Sequence, residues 1–162
     1  MAPTNPLYGY LDHNATTPVR PEVIRLMGDV MAELPGNPNS LHSWGVGARV
    51  RVEKARRRLA RLLGAEKPEE LVFTSGGSEA DNLAVRGIAL RARRQGRGSH
   101  LVVSAAEHKA VLETALHLRD DHGFALTILP VDKWARVRPV NLAKALRAET
   151  VLVSIICANN EV

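Results

Sequence analysis

Four short apolar runs, ELVFTS, HLVVSA, ALTILPV and TVLVSIICA, recur from residue 70 onward with a helical pattern between successive runs. Runs that are apolar nearly throughout, instead of alternating with polar residues, belong to strands buried on both faces. Strands of this kind separated by helices predict a largely parallel sheet with helices packed on it. The intervening segments are GGSEADNLAVRGIALRARRQG, a helix from about Lys109 to Asp121, and NLAKALR with Asn141 as its candidate N-cap. Two helices are expected ahead of this alternation. Pro21 to Leu34 has Val23, Leu26, Val30 and Leu34 at helical spacing behind a first-turn proline. A second runs from about Val46 to Leu63 and ends at Gly64, a suitable left-handed terminator. The segment between them, PGNPNSLHSWG, is a loop by composition. Residues 1–20 read as an extended amino-terminal segment.

The chain has 162 residues, 45% of them hydrophobic, enough for one domain with a buried core. Aromatics are only 4%, so that core is built from Leu, Val, Ile and Ala. No apolar stretch approaches the roughly 20 residues that span a bilayer. MAPTNPLYGYLDHN has neither the basic start nor the apolar run of a secretory signal, and the single Cys157 permits no internal disulfide. A cytoplasmic protein without a membrane partner is expected. The net charge of +5 is concentrated in ARVRVEKARRRLARLLG and RARRQGRG. In the first of these, Val52, Ala55, Leu59, Leu62 and Leu63 place an apolar stripe on one face and the arginines on the other, as in a solvated surface helix. No aromatic residues interleave with the basic cluster to stack on bases, so nucleic acid is not expected as a partner.

In open α/β sheets ligands bind beyond the carboxyl ends of the strands, so those ends are where chemistry is sought. After FTS come Gly76, Gly77 and Ser78 at a helix start. There, exposed backbone N–H groups and the helix dipole favour an anion such as phosphate. Ser78 equally serves as a simple cap, with Asp81 completing a capping box. After HLVVSA stands His108, either a capping residue or an imidazole placed to stack on a heterocycle and move a proton near neutral pH. After TVLVSIICA stand Asn159 and Asn160, either turn residues or carboxamides that fix one ring substituent. Asp12, His13, Asn14, Thr16 and Thr17 suggest a local Asx-type turn. The six histidines have no metal-ligand spacing with cysteine, so no metal site is expected.

Six motifs in order, YLDHNATTP, GNPNSLHSWG, FTSGGSEADNLA, AEHKAV, LPVD and VLVSIICANNEV, make the chain resemble cysteine desulfurases of the NifS/IscS type, within the class V aminotransferase group. The resemblance runs from about Tyr10 to the last residue. It implies the aspartate-aminotransferase-like, fold type I, PLP-dependent α/β fold, with residues 21–162 as a partial large domain incomplete at its carboxyl end. It implies pyridoxal 5'-phosphate as cofactor, with Gly77 and Ser78 at the phosphate, His108 stacked on the pyridine ring and assisting proton transfers, and Asn160 bonded to the phenolic oxygen. Ala15 and Thr16 would lie near the substrate carboxylate. Asn39 stands where the family commonly has Ser.

The implied reaction converts L-cysteine to L-alanine, leaving an enzyme persulfide whose sulfur goes to an iron–sulfur scaffold or another acceptor protein. A PLP cofactor supplies the electron sink for such chemistry. The family's Schiff-base lysine and catalytic cysteine have no counterpart here. Lys109 stands in the wrong motif. Cys157 falls inside an apolar run, where a buried neutral thiol is expected. The expectation is therefore a fragment inactive on its own, in a homodimer or paired with a complementing carboxyl-terminal half. A fragment of selenocysteine lyase or another class V lyase, and a non-catalytic partner of a full-length desulfurase, are the alternative readings.

Overall fold

A computed structural model describes residues 9–33 and 35–161. Residues 1–8 of the expected amino-terminal segment, Leu34 at the end of the first expected helix, and Val162 lie outside the described residues. The chain divides into two compact units, Met1–Phe73 and Thr74–Val162.

The first unit contains α1 (Pro21–Glu33) and α2 (Ser43–Leu63). No residue of α1 is buried, and Val23, Ile24, Leu26, Met27 and Met31 stand exposed. The imidazole Nδ1 of His42 caps α2 by accepting from Gly45 N–H at 3.3 Å. Gly64 closes α2 in the left-handed conformation, φ 73°, as its position predicts. The loop before α2 lies so close to its first turn that a Cβ on Gly45 would sit 2.5 Å from the Ser40 carbonyl oxygen. Arg56 on α2 donates to the Leu71 carbonyl and spreads over the Phe73 ring, 4.8 Å from its centroid.

The second unit holds α3 (Gly77–Arg94), β1 (His100–Ser104), α4 (Lys109–His122), β2 (Ala125–Leu129), α5 (Pro139–Ala145) and β3 (Thr150–Ser154). The three strands are parallel in the order β2-β1-β3. Every residue of the central β1 is buried, whereas β2 and β3 are partly exposed edges. Leu101 and Val103 on β1 pack with Val85 and Ala89 of α3 and with Val111, Ala115 and Leu118 of α4. The alanines let the helices lie close. Each fully buried Leu or Val contributes on the order of 1.5–3 kcal/mol.

At the amino-terminal end of the sheet the fully buried His100 reaches both edge strands. Its Nδ1 is 2.8 Å from Thr150 Oγ1 and its Nε2 2.9 Å from Thr127 Oγ1. At the other end, residues 131–137 form a tight turn closed by an antiparallel bridge between Val131 and Val137. The Asp132 carboxylate accepts from the Trp134 and Arg136 N–H groups at 2.9 and 3.0 Å. Ala135 is the one non-glycine with positive φ, 56°, among the described residues.

Several expectations need correction. ELVFTS forms no strand: the chain is extended at Leu71, but no neighbour among the described residues completes a ladder there. The sheet thus has three strands, where the sequence suggested four. The β3 strand stops at Ser154, four residues short of the apolar run it begins, and Cys157 beyond it is exposed instead of buried. The N-cap of α5 is Arg138, because Pro139 sets the first helical turn ahead of Asn141. Gly76, not Ser78, occupies the N-cap of α3.

Candidate active site

The chain passes from β1 to one side for β2 and returns across it for β3, the kind of reversal at which α/β sheets open a ligand crevice. A cleft of about 500 Å³ lies there, lined by residues 105–109 after β1, 131–133 and 135 after β2, and 159–161 after β3. His108 and Asn160, 52 positions apart in sequence, line this same cleft. His108 is the N-cap of α4, and its Nδ1 accepts from Ala110 N–H at 3.1 Å. In the neutral imidazole that acceptor role leaves the ring proton on Nε2. The ring therefore offers the cleft a flat face and one N–H donor.

Asn159, half-buried beside Asn160, donates from Nδ2 to the Ala106 carbonyl at 2.9 Å and accepts at Oδ1 from Glu161 N–H at 2.6 Å. Glu107, just before His108, is buried, yet its Oε1 has no hydrogen-bond partner among the described residues. Ser104 Oγ, at the end of β1, is in the same condition. Unpaired buried oxygens are costly, and of the two residues Glu107 is the one that lines the cleft.

The start of α3 is a second polar feature of this unit. Both N–H and Oγ–H of Ser75 donate to Glu79 Oε2 at 2.6 Å. The Ser75 hydroxyl first, and its backbone N–H second, hold the Glu79 carboxyl below its ordinary pKa. Thr74 Oγ–H donates to the Gly76 carbonyl at 3.0 Å, which folds the turn before the helix. A Cβ built on Gly76 or Gly77 would meet nothing within 4 Å. Open space thus adjoins the Cα atoms of both glycines at a helix start, the kind of place where an anion can approach the backbone. Gly77 and Ser78 both belong to this exposed first turn.

Two polar side chains connect α3 with α4. Asn82 Nδ2 donates to the Ser78 carbonyl at 2.9 Å. The Thr114 hydroxyl lies 2.8 Å from Asn82 Oδ1 and 2.7 Å from the Ala110 carbonyl oxygen, so its single proton is shared between two acceptors. The helix beginning at the glycine turn is thereby fixed to the helix that His108 caps. Sequence reading passed over both residues; the available signal was a threonine among the apolar Val111, Ala115 and Leu118 on the inner face of α4.

Ala15 and Thr16 belong to the first unit and are exposed. Their N–H groups both point to the Asp12 carbonyl, at 3.2 and 3.3 Å. The Tyr10 hydroxyl lies 2.8 Å from that oxygen and 2.9 Å from the Thr16 carbonyl. The expected local turn is present, built on the Asp12 main chain where an Asx-type turn would use its side chain. No group of three or more His, Cys, Asp or Glu capable of holding a metal is found among the described residues. Cys157 lines an adjoining pocket of about 480 Å³ with Trp134, Arg136 and Ile155, which shares Ala135 and Asn159 with the cleft. No helix among the described residues is long and apolar enough to cross a membrane.

A family model described as aminotransferase class-V matches residues 9–162. A cysteine desulfurase IscS of Dictyoglomus turgidum is 45% identical over 153 residues, covering 94% of this chain and 38% of that protein. A mitochondrial cysteine desulfurase of Arthroderma benhamiae is 41% identical over 154 residues, covering 94% of this chain and 30% of that protein. Among solved structures, a NifS-like protein superposes with a TM-score of 0.86 at 40% identity, covering 93% of this chain and 40% of the other. The chain described as SspA in complex with cysteine superposes with a TM-score of 0.84 at 35% identity, over 94% and 43% respectively. The parallel sheet with its flanking helices is thus part of the α/β fold of NifS-like proteins, and the chain spans less than half the length of these relatives.

Proposed function

The chain belongs to the aminotransferase class-V family, and from that membership we propose that it forms the PLP-cradling part of a cysteine desulfurase, a partial large domain over residues 21–162. The single observation that carries this reading is that one cleft, at the carboxyl ends of all three strands, gathers the imidazole of His108 and the carboxamide of Asn160.

The chemistry of these residues suits the cofactor. The glycine turn carries no side chain to crowd a phosphate at the start of α3, and Gly77 and Ser78 would hold it there. Asn160 would donate to the phenolic oxygen. His108 would lie against the pyridine face and present its Nε2 proton, since Nδ1 is engaged by α4. Bound PLP would supply the electron sink for chemistry at the substrate Cα. His108 would hold or pass a proton at Nε2. Ala15 and Thr16 would serve the substrate carboxylate.

In a complete enzyme the substrate would be L-cysteine and the products L-alanine and a persulfide sulfur, passed to an iron–sulfur scaffold or another acceptor protein in the cytoplasm. A homodimer, or a complementing carboxyl-terminal half, would complete the site.

The test is titration of the chain with PLP and with pyridoxal, which lacks the phosphate, followed by absorbance and tryptophan fluorescence. Saturable binding of PLP, at least tenfold tighter than pyridoxal and weakened by Ser78→Ala and Asn160→Ala, is expected. Equal affinity for the two probes, or affinity indifferent to both substitutions, would sink the reading.

A further inference from the structure

We propose that Asn159 is a positioning residue, which sets the spacing between the His108 loop and the Asn160 loop across the cleft. The proposal rests on the cofactor reading of that cleft for its significance, but its geometry stands independently.

The ladder between β1 and β3 makes its last pairing at Val103 and Ser154. Beyond it, the bond from Asn159 Nδ2 to the Ala106 carbonyl is the only hydrogen bond between residues 105–108 and 155–161 among the described residues. It spans 53 positions and reaches a carbonyl two residues before His108. The other end of the same carboxamide accepts from Glu161 N–H at 2.6 Å, curling the backbone so that Asn160 sits at the apex of an Asx turn. One planar group therefore fixes both cleft-lining residues, Asn160 through the backbone on either side of it and His108 through its loop.

This role needs a carboxamide. A carboxylate at position 159 would keep the acceptor for Glu161 N–H but turn a second oxygen toward the Ala106 carbonyl. Asn159→Asp is thus a near-isosteric change that keeps the Glu161 arm, removes the link between the loops and sets a negative oxygen against the Ala106 carbonyl. Asn159→Ala deletes both arms.

The experiment uses the full chain, isotope-labelled, as wild type and both variants. Three readings are taken: the His108 ring nitrogens and Asn160 side-chain amide by NMR, hydrogen-exchange protection of the Ala89 and Leu118 amides, and the PLP dissociation constant. Asn159→Asp is expected to shift or broaden the His108 and Asn160 signals, leave core protection within a factor of about two, and weaken PLP binding about tenfold, the equivalent of one strong hydrogen bond. Asn159→Ala should do at least as much. Unchanged His108 and Asn160 signals in Asn159→Asp would overturn the proposal whatever PLP does. Loss of core protection along with those signals would also overturn it, since the residue would then serve general stability. Wild-type chain that fails to bind PLP would refute the cofactor reading alone, because the NMR comparison still decides whether the loops are coupled.

Discussion

The Thr114 hydroxyl on α4 lies 2.8 Å from the Asn82 carboxamide oxygen on α3, on a face that is otherwise apolar. Asn82 passes the connection to the Ser78 carbonyl in the glycine turn. Thr114→Val keeps the shape and removes the hydroxyl, leaving Asn82 Oδ1 without that donor. A loss of about 1–2 kcal/mol in urea unfolding is expected. A double-mutant cycle with Asn82→Ala should return a coupling of roughly 0.5–1.5 kcal/mol, and a value near zero would mean the pair is not coupled.

Acidification should weaken the sheet through His100. Burial first, and the Arg147 cation second, push its pKa below the ordinary 6.5, against a smaller opposing effect of Glu149. The unfolded chain therefore takes up this proton more readily than the native one. Stability is complete above the unfolded value and drains as pH falls from there toward the lower folded value. Urea midpoints measured between pH 8 and pH 5 should fall in wild type and flatten in His100→Gln; parallel profiles would exclude His100 as the origin. Glu79 and Asp132 act in a more acid window. Both carboxyls are held low, Glu79 chiefly by the Ser75 hydroxyl and Asp132 chiefly by the Arg136 N–H, so their contributions disappear as pH falls through those lowered values.

Ala135 occupies a left-handed conformation that a Cβ disfavours, at the apex of the turn beside the cleft. Ala135→Gly relieves that cost while adding unfolded-state freedom, and the balance predicts a gain on the order of 0.5 kcal/mol. Thermal unfolding should move upward by a degree or more, and a lowered midpoint would contradict the local strain.

Two glycines should respond to alanine with opposite signs. Gly98 has φ 140°, and a Cβ there would lie 2.3 Å from the Glu149 carbonyl oxygen, which belongs to main chain and cannot swing aside. Gly98→Ala should cost roughly 1–3 kcal/mol. Gly87 lies inside α3 with nothing within 4 Å of its Cβ position, so Gly87→Ala should stabilise by roughly 0.5–1 kcal/mol. Chemical denaturation of the two variants side by side checks the contrast.

Features encoded locally were legible before the fold was known. Gly64 ends α2 because the left-handed turn it makes depends on its own backbone, and α4 follows its predicted limits within a residue. ELVFTS could not be judged this way, since a strand exists only through a neighbour to which it bonds. Cys157 misled for a related reason: an apolar run says nothing about where its ladder stops. At the site, His108 and Asn160 were legible as strand-end residues, and the structure places them on one cleft. The bond from Asn159 to Ala106 and the contact between Asn82 and Thr114 were not, because each joins positions 53 and 32 residues apart respectively that only folding brings together.

The imidazole of His100 ties all three strands at one end of the sheet, while the loops bearing His108, Asp132 and Asn160 leave from the other. Permanence and adaptability are thus assigned to opposite poles of the same short ladder. A change at His100 would touch all three strands directly, whereas one in a cleft loop lies beyond the end of the ladder.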